Sequence, residues 1–408
     1  MNDNQLPLIV GFKGLNNRAL DASLPDGALR TAINIDLDNQ GAVRTRQGAR
    51  LVTSGSCHSF WGHSSKEWAL CVIGGFLCRL AGSSLVSLRA VQPLSMCYAE
   101  LDGYVYFSNG VDQGRVSSSG VLDYWGINTP PAPVCTPITL GGLRAGTVRI
   151  VQTAIAPSGF ESGASSPVAI TIPEGGGVSV TVPTGASFFV YATDVDGDVF
   201  RQVGGMWTSG TSFVVGKSQR GKVVESLFAS RPPAGGYLAE YMGRIWIANG
   251  SVLWFTDSKS PHWVFQESGY FQFDAPIVLL AAVNDGLFVG TAQDVSFMQG
   301  TSPSEMVRKS VWLRGAVESS SPVKIPSDIL SQQPLGQSCA WIDLDGVLCL
   351  GRSGGVVQPI GADAYRAGKA SRVSLSYFEH DGLRQIAGVL LNAERPNTPV
   401  DMSVVSVT

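Results

Sequence analysis

Short apolar runs stop at a small or polar pair and resume as alternating aromatic and aliphatic residues. The phrase occurs at Val72-Ile73-Gly74-Gly75-Phe76-Leu77-Cys78, at Glu100-Leu101-Asp102-Gly103-Tyr104-Val105-Tyr106-Phe107 and at Tyr241-Met242-Gly243-Arg244-Ile245-Trp246-Ile247. It returns at Val283-Asn284-Asp285-Gly286-Leu287-Phe288-Val289, Ile342-Asp343-Leu344-Asp345-Gly346-Val347-Leu348-Cys349 and Glu379-His380-Asp381-Gly382-Leu383. A two-residue turn with positive φ takes Asn, Asp or Gly, and its twist suits the strands on either side. The pattern therefore predicts antiparallel hairpins along most of the chain. Gly243 and Gly286 are 43 residues apart, close to one four-stranded propeller blade of about 40 to 50 residues. The expected fold is all-β, a propeller-like array of antiparallel hairpins.

Two stretches depart from this rhythm. Residues 1–50 read as an extended arm that ends in one hairpin, Ile33-Asn34-Ile35-Asp36-Leu37-Asp38 and Ala42-Val43-Arg44-Thr45-Arg46 around an Asn39-Gln40-Gly41 turn. Residues 51–132 carry the first propeller hairpins and end at Pro130-Pro131-Ala132-Pro133, a stiff exit. From 133 to 215 short strands recur about every ten residues, the rhythm of a small β-sandwich. We read this part as an inserted, separable domain of fibronectin-III-like build. After Arg231-Pro232-Pro233 the hairpins resume, so 216–408 forms the rest of the propeller, with an irregular interlude between Thr301 and Gln337.

Composition narrows the partners. Only 15% of the 408 residues are charged, against about 25% in an ordinary soluble domain. That low fraction points to a surface that largely meets other protein. A net charge of −3 argues against an electrostatic clamp on nucleic acid. Met1 to Leu8 lack the basic and apolar regions of a secretory signal, and no apolar run is long enough to span a membrane. Seven cysteines without a pairing framework read as buried thiols, with Cys71 and Cys78 as hairpin neighbours.

Few motifs carry chemistry. Asp194, Asp196 and Asp198 resemble the start of a calcium loop, but Gly205 stands where its closing glutamate belongs. A plain Asp-Gly turn fits better. Cys57, His58 and His63 fall short of a four-ligand zinc set. No Gly-x-Ser-x-Gly elbow or phosphate loop occurs, and none of His58, His63, His262 and His380 has an evident nucleophile beside it. We expect no enzyme activity, no cofactor and no metal. Trp246, Trp254, Phe255, Trp263, Tyr270, Phe271 and Phe273 are expected to fill blade interiors. The most basic region holds Lys13, Arg18, Arg30, Arg44, Arg46 and Arg50. The first five are the candidate assembly interface, weighed against charges on the wet face of a hairpin.

The leader Gly14-Leu15-Asn16-Asn17-Arg18, Leu24-Pro25-Asp26-Gly27-Ala28-Leu29-Arg30 and Ile33 to Asp38 resembles the opening of virion structural proteins from tailed bacteriophages. Gly243-Arg244-Ile245-Trp246-Ile247, Leu253-Trp254-Phe255-Thr256-Asp257, Pro261-His262-Trp263 and Asp285 to Thr291 are similar to the same group. Within it, the propeller-bearing subunits of short-tailed phages form the tail nozzle. The resemblance implies a homo-oligomeric ring, with a hexamer favoured, below the head-tail adaptor and beside tail fibre or spike proteins. Duplex DNA would pass its channel without sequence-specific binding. The implied location is the virion tail, assembled in the host bacterial cytoplasm. The alternative is a receptor- or glycan-binding module associated with a fibre or spike.

Overall fold

In a computed structural model, the structure describes residues 11–406 apart from 39–40, 47, 49–50, 52–53, 209, 217–219, 320–322, 327–335, 381–382 and 394–401. The Asn39-Gln40 turn, Arg50, the Asp381-Gly382 turn and the Met1 to Leu8 start therefore lie outside the described residues. Among the described residues, regular structure is almost entirely β, and six four-stranded sheets lie outside the insert.

Sheet I holds Cys57–Gly62, Trp68–Ile73, Phe76–Ala81 and Ser84–Ala90; sheet II holds Cys97–Leu101, Tyr104–Ser108, Gln113–Ser117 and Leu122–Asp123. Sheet III holds Tyr237–Tyr241, Arg244–Asn249, Val252–Phe255 and Tyr270–Gln272; sheet IV holds Ile277–Val283, Gly286–Thr291, Val295–Gln299 and Val307–Trp312. Sheet V contains Val323–Pro326, Gln337–Ile342, Leu348–Arg352 and Val356–Ile360. Sheet VI contains Glu318–Ser319, Arg372–His380, Leu383–Leu391 and Met402–Ser406. Each of sheets I to V runs as an antiparallel meander, the repeating unit of a propeller. The interlude between Thr301 and Gln337 is not wholly irregular. It supplies Glu318–Ser319, which pairs in parallel with Arg372–Val373, and Val323–Pro326, the first strand of sheet V.

Successive sheets pack face to face, and the alternation of side chains along each strand feeds two cores at once. In sheet IV, Leu280, Ala282, Leu287 and Val289 join Ile245, Trp246 and Ile247 of sheet III. Their neighbours Leu279, Ala281 and Phe288 join Cys339 and Trp341 of sheet V. Sheet V repeats the division, sending Ala340 and Ile342 toward Val373, Leu375 and Ile386 of sheet VI. Leu70, Val72 and Leu77 of sheet I meet Val105, Phe107 and Val116 of sheet II in the same way. Burial of both faces explains why Ile277–Val283 reads as a continuous apolar run.

Three predicted turns have the expected geometry: Gly74 and Gly75 (φ 57° and 82°), Asp102 and Gly103 (51° and 74°), and Met242 and Gly243 (51° and 69°). The fourth differs. Asn284 and Asp285 make the turn, and Gly286 is already in the strand opposite Val283. An added Cβ there would run into the Met298 carbonyl and the Phe297 ring. Gly346 (φ 79°) follows a turn organised by buried Asp343, whose Oδ1 accepts the N–H groups of Asp345 (3.0 Å) and Val347 (2.9 Å).

The insert is a sandwich of two sheets. One carries Val134–Leu143, Gly176–Thr181 and Ser212–Val215; the other carries Val168–Ile172, Gly146–Ile155, Ser187–Ala192 and Arg201–Gln202. Val148, Ile150, Val178, Val180, Phe188, Val190 and Val215 form a core of their own between them.

Two glycine-related substitutions should move stability in opposite directions. Gly286→Ala forces a methyl into a filled space and should cost about 1–3 kcal/mol. Met242→Gly relieves a left-handed residue in an exposed turn and should stabilise by up to about 1 kcal/mol. Urea unfolding midpoints check both.

Candidate functional site

The N-terminal arm has little core of its own. Between residues 11 and 46 only Asn16 is buried among the described residues. Its Oδ1 accepts the N–H groups of Arg18 (3.0 Å) and Ala19 (2.9 Å), shaping a local turn. Gly14–Leu15 pairs in parallel with Ala28–Leu29, and Ile35–Leu37 pairs antiparallel with Val43–Thr45. The arm docks on its own chain through Asn17, whose N–H donates to Ala364 O (2.9 Å). The Asn17 amide also exchanges hydrogen bonds with the Arg366 backbone at 2.7 and 3.0 Å.

The five candidate interface residues do not form one patch of free charge. Arg30 pairs with Asp21 at 2.7 Å and donates to the carbonyls of Asn16 and Ala19. Arg46 pairs with Asp36 at 3.0 Å and reaches Ile35 O, while Arg44 stands 3.6 Å from Asp38. These three arginines hold the arm in shape. Lys13 and Arg18 are left with no ion-pair partner among the described residues. Leu20 (79% exposed), Ile33 (60%) and Leu51 (79%) are uncovered along the same segment.

Where sheet VI meets the loop before sheet II, Arg372 bonds to both Glu318 and Ser95. Leu94, Asn109, Gly236 and Tyr237 complete the lining of a cavity of about 140 Å³ there. Burial, then the charge of Glu318, pushes the Tyr237 hydroxyl well above its ordinary pKa. Cys97 donates to Gly236 O at 2.8 Å, and burial pushes its thiol up to about 12. His58 is lowered by burial and by Arg372. The Arg372–Glu318 pair thus lies within sheet VI, the bond to Ser95 reaches across to the loop before sheet II, and burial keeps Tyr237 and Cys97 protonated.

The insert meets the propeller through a stack of rings. The Arg115 guanidinium lies between Tyr104, 4.0 Å to the ring centroid, and Phe160 of the insert, 3.9 Å away. Asp123 holds it edge-on at 2.8 Å. Phe160 then stacks on His262 with 4.4 Å between centroids. Burial and the nearby Arg115 charge lower His262 to about 4, so it is neutral at pH 7. Trp263 Nε1 donates to Glu161 O at 2.7 Å, and Trp125 Nε1 to Pro261 O at 2.8 Å. The proline exits are also tied: Gln152 Nε2 donates to Pro131 O (2.6 Å) and Gln113 Nε2 to Pro232 O (2.9 Å).

The remaining candidates have structural partners. Asp196 pairs with Arg144 at 2.8 Å and Asp198 with Arg149 at 2.5 Å, so arginines occupy the face a cation would need. The Thr147 N–H, then Arg144, holds Asp196 below the usual carboxylate range. His58 bonds to Ser59, while His63 turns to Ser65 and Glu100, so Cys57, His58 and His63 do not converge. Cys71 and Cys78 are directly opposite across their hairpin and free. Trp246, Trp263 and Phe273 are buried, whereas Tyr270 is 42% exposed.

No protein-family model and no curated protein matches the chain. Among solved structures it is similar to BBS1N in complex with ARL6DN, at 9% identity over 82% of this chain and 89% of that one, with a TM-score of 0.34. The Pan2 WD40 domain of Neurospora crassa gives 12% identity, 81% and 86% coverage and a TM-score of 0.34. Apo AztD from Citrobacter koseri gives 10%, 90% and 92%, with a TM-score of 0.33. The propeller-like description rests on the sheet topology itself.

The joint predicts a pH dependence. The folded state keeps His262 neutral down to about pH 4, whereas the unfolded chain protonates near 6.5. The resulting penalty is absent above pH 6.5 and grows as pH falls toward 4. Allowing for solvent screening, it should reach about 1–2 kcal/mol. The difference in unfolding free energy between the wild type and His262→Gln, measured at pH 7 and pH 4.5, should change by that amount.

Proposed function

We propose that this chain is a ring-forming structural subunit of a bacteriophage tail, of the nozzle type, whose work is assembly rather than turnover. The observation that carries the reading is the arm. It is ordered by its own arginine pairs, almost coreless, and leaves Leu20, Ile33, Lys13 and Arg18 available to a neighbouring copy. Such a segment contributes little to the stability of its own propeller, so its apolar side chains gain most when a second surface covers them. The low charge of the whole chain supports the same reading, since extensive subunit contact disfavours unpaired charge.

In this account the subunits close as a cyclic ring, with six copies the favoured number, beneath a head-tail adaptor and in contact with fibre or spike proteins. Duplex DNA passes the channel without sequence-specific contact. A mildly acidic chain suits passage, because adhesion to DNA grows with the number of phosphates neutralised. The insert, read as fibronectin-III-like, is carried as a fixed appendage by the Arg115 stack.

The purified chain should run as a ring of several copies by mass photometry. Deleting residues 1–50 should leave a folded monomer. Reversing Lys13 and Arg18 to Glu should weaken the ring more than Arg44→Ala does, while Arg30→Ala and Arg46→Ala should act through loss of arm order. A monodisperse monomer at high concentration would count against the ring and favour the receptor- or glycan-binding reading.

A further inference from the structure

The turn that follows Cys57–Gly62 gathers three side chains that the assembly reading does not use. His63 Nδ1 is 2.9 Å from Ser65 Oγ, and His63 Nε2 is 3.2 Å from Glu100 Oε1 on the neighbouring sheet. Glu100 is itself fixed by Ser64, whose hydroxyl donates to Oε1 at 2.7 Å and whose N–H donates to Oε2 at 3.3 Å. The imidazole lies flat against Trp68, 4.5 Å between centroids at 21°, and meets Trp61 edge-on at 6.0 Å. An ionised carboxylate only accepts, so Nε2 carries the proton facing Glu100. In the neutral ring Nδ1 is then an acceptor, shared between the hydroxyl of the exposed Ser65 at 2.9 Å and the Ser65 backbone N–H at 3.1 Å. Nucleophile, base and orienting group within hydrogen-bond reach are the geometric signature of an activated hydroxyl.

We propose that Ser65 is an acyl-acceptor site for accessible carboxylic esters, with His63 as its base and Glu100 as the group that positions the imidazole. Ser65 Oγ forms a bond to the ester carbonyl carbon while its proton moves to His63 Nδ1. The carbonyl carbon's bond to the leaving oxygen then breaks, and His63 returns the proton to that oxygen. The products are acyl-Ser65 and an alcohol, with no redox change. The surroundings also bound the chemistry. The N–H groups of Ser64, Ser65, Lys66 and Glu67 are engaged by Glu100 Oε2, His63 Nδ1, His63 O and Ser65 Oγ respectively. The loop therefore offers no ready pair of donors to a developing oxyanion, a feature worth about 10²–10³ in rate per donor. Acylation is confined to esters with good leaving groups and stops at one modification. It stands independently of the tail reading.

The full-length protein mixed with p-nitrophenyl acetate should release about one equivalent of p-nitrophenolate in a burst, and peptide mass mapping should find the acetyl group on Ser65. Ser65→Ala should abolish the burst. His63→Phe keeps a ring against Trp68 but removes the base, and should slow acylation about tenfold or more. Glu100→Gln should slow it less. Circular dichroism confirms that each variant is folded. An unchanged burst in Ser65→Ala, an acetyl group on Lys66 instead, or labelling of Ser65 no faster than of Ser64 would overturn the assignment. In that event the cluster only staples the turn to sheet II.

Discussion

Burial of both faces of successive sheets is the constraint on which this structure depends. A sheet that is apolar on one side can pack once and stop. Here sheets II, IV and V each send apolar residues from both faces of their inner strands into two cores, so each must find a neighbour on both sides. Alternation along the strand divides the load: Phe288 and Trp341 fill one gap, while Leu287 with Trp246 and Ala340 with Leu375 fill the gaps beyond. A one-residue slip would exchange the two cores, and residues of different size would then meet. Register and stacking are thus one problem, solved by the turns at Gly74-Gly75, Asp102-Gly103 and Met242-Gly243.

The joints that interrupt this stack are polar where the stack is apolar. Arg372, paired with Glu318 inside the last sheet, ties that sheet to the loop before the second through Ser95. Arg115 between Tyr104 and Phe160 does the same for the insert. Cation–π contacts and directional hydrogen bonds fix orientation more than they add to stability. The sandwich keeps its own core and is set at a defined position by the ring stack and the glutamines at both proline exits.

Sequence made the hairpins readable because turn chemistry is local. Gly286 was mistaken for a turn residue because its reason is not local: the Phe297 ring and Met298 carbonyl of the next strand occupy the space a Cβ would take. The interlude before Gln337 looked irregular because Glu318–Ser319 is too short to carry a period, and its partner Arg372–Val373 is far along the chain. The basic arm was legible as a region but not as a site. Only the pairing of Arg30 with Asp21 and Arg46 with Asp36 separates arginines that shape the arm from the charges of Lys13 and Arg18. Sequence offers no evident nucleophile beside His63 although Ser65 is two residues on, because Glu100, which orients the ring, joins them only through the packing of two sheets. The Arg115 stack was hidden for the same reason.

In the proposed ring, the exposed arm of one copy is covered by the next copy. Electron cryomicroscopy of intact particles tests it most directly. Density for this chain is expected on the tail axis, repeated around it, with residues 11–46 of each copy lying against its neighbour. Single copies at the tail periphery, or a ring in which the arms contact only their own propellers, would contradict it.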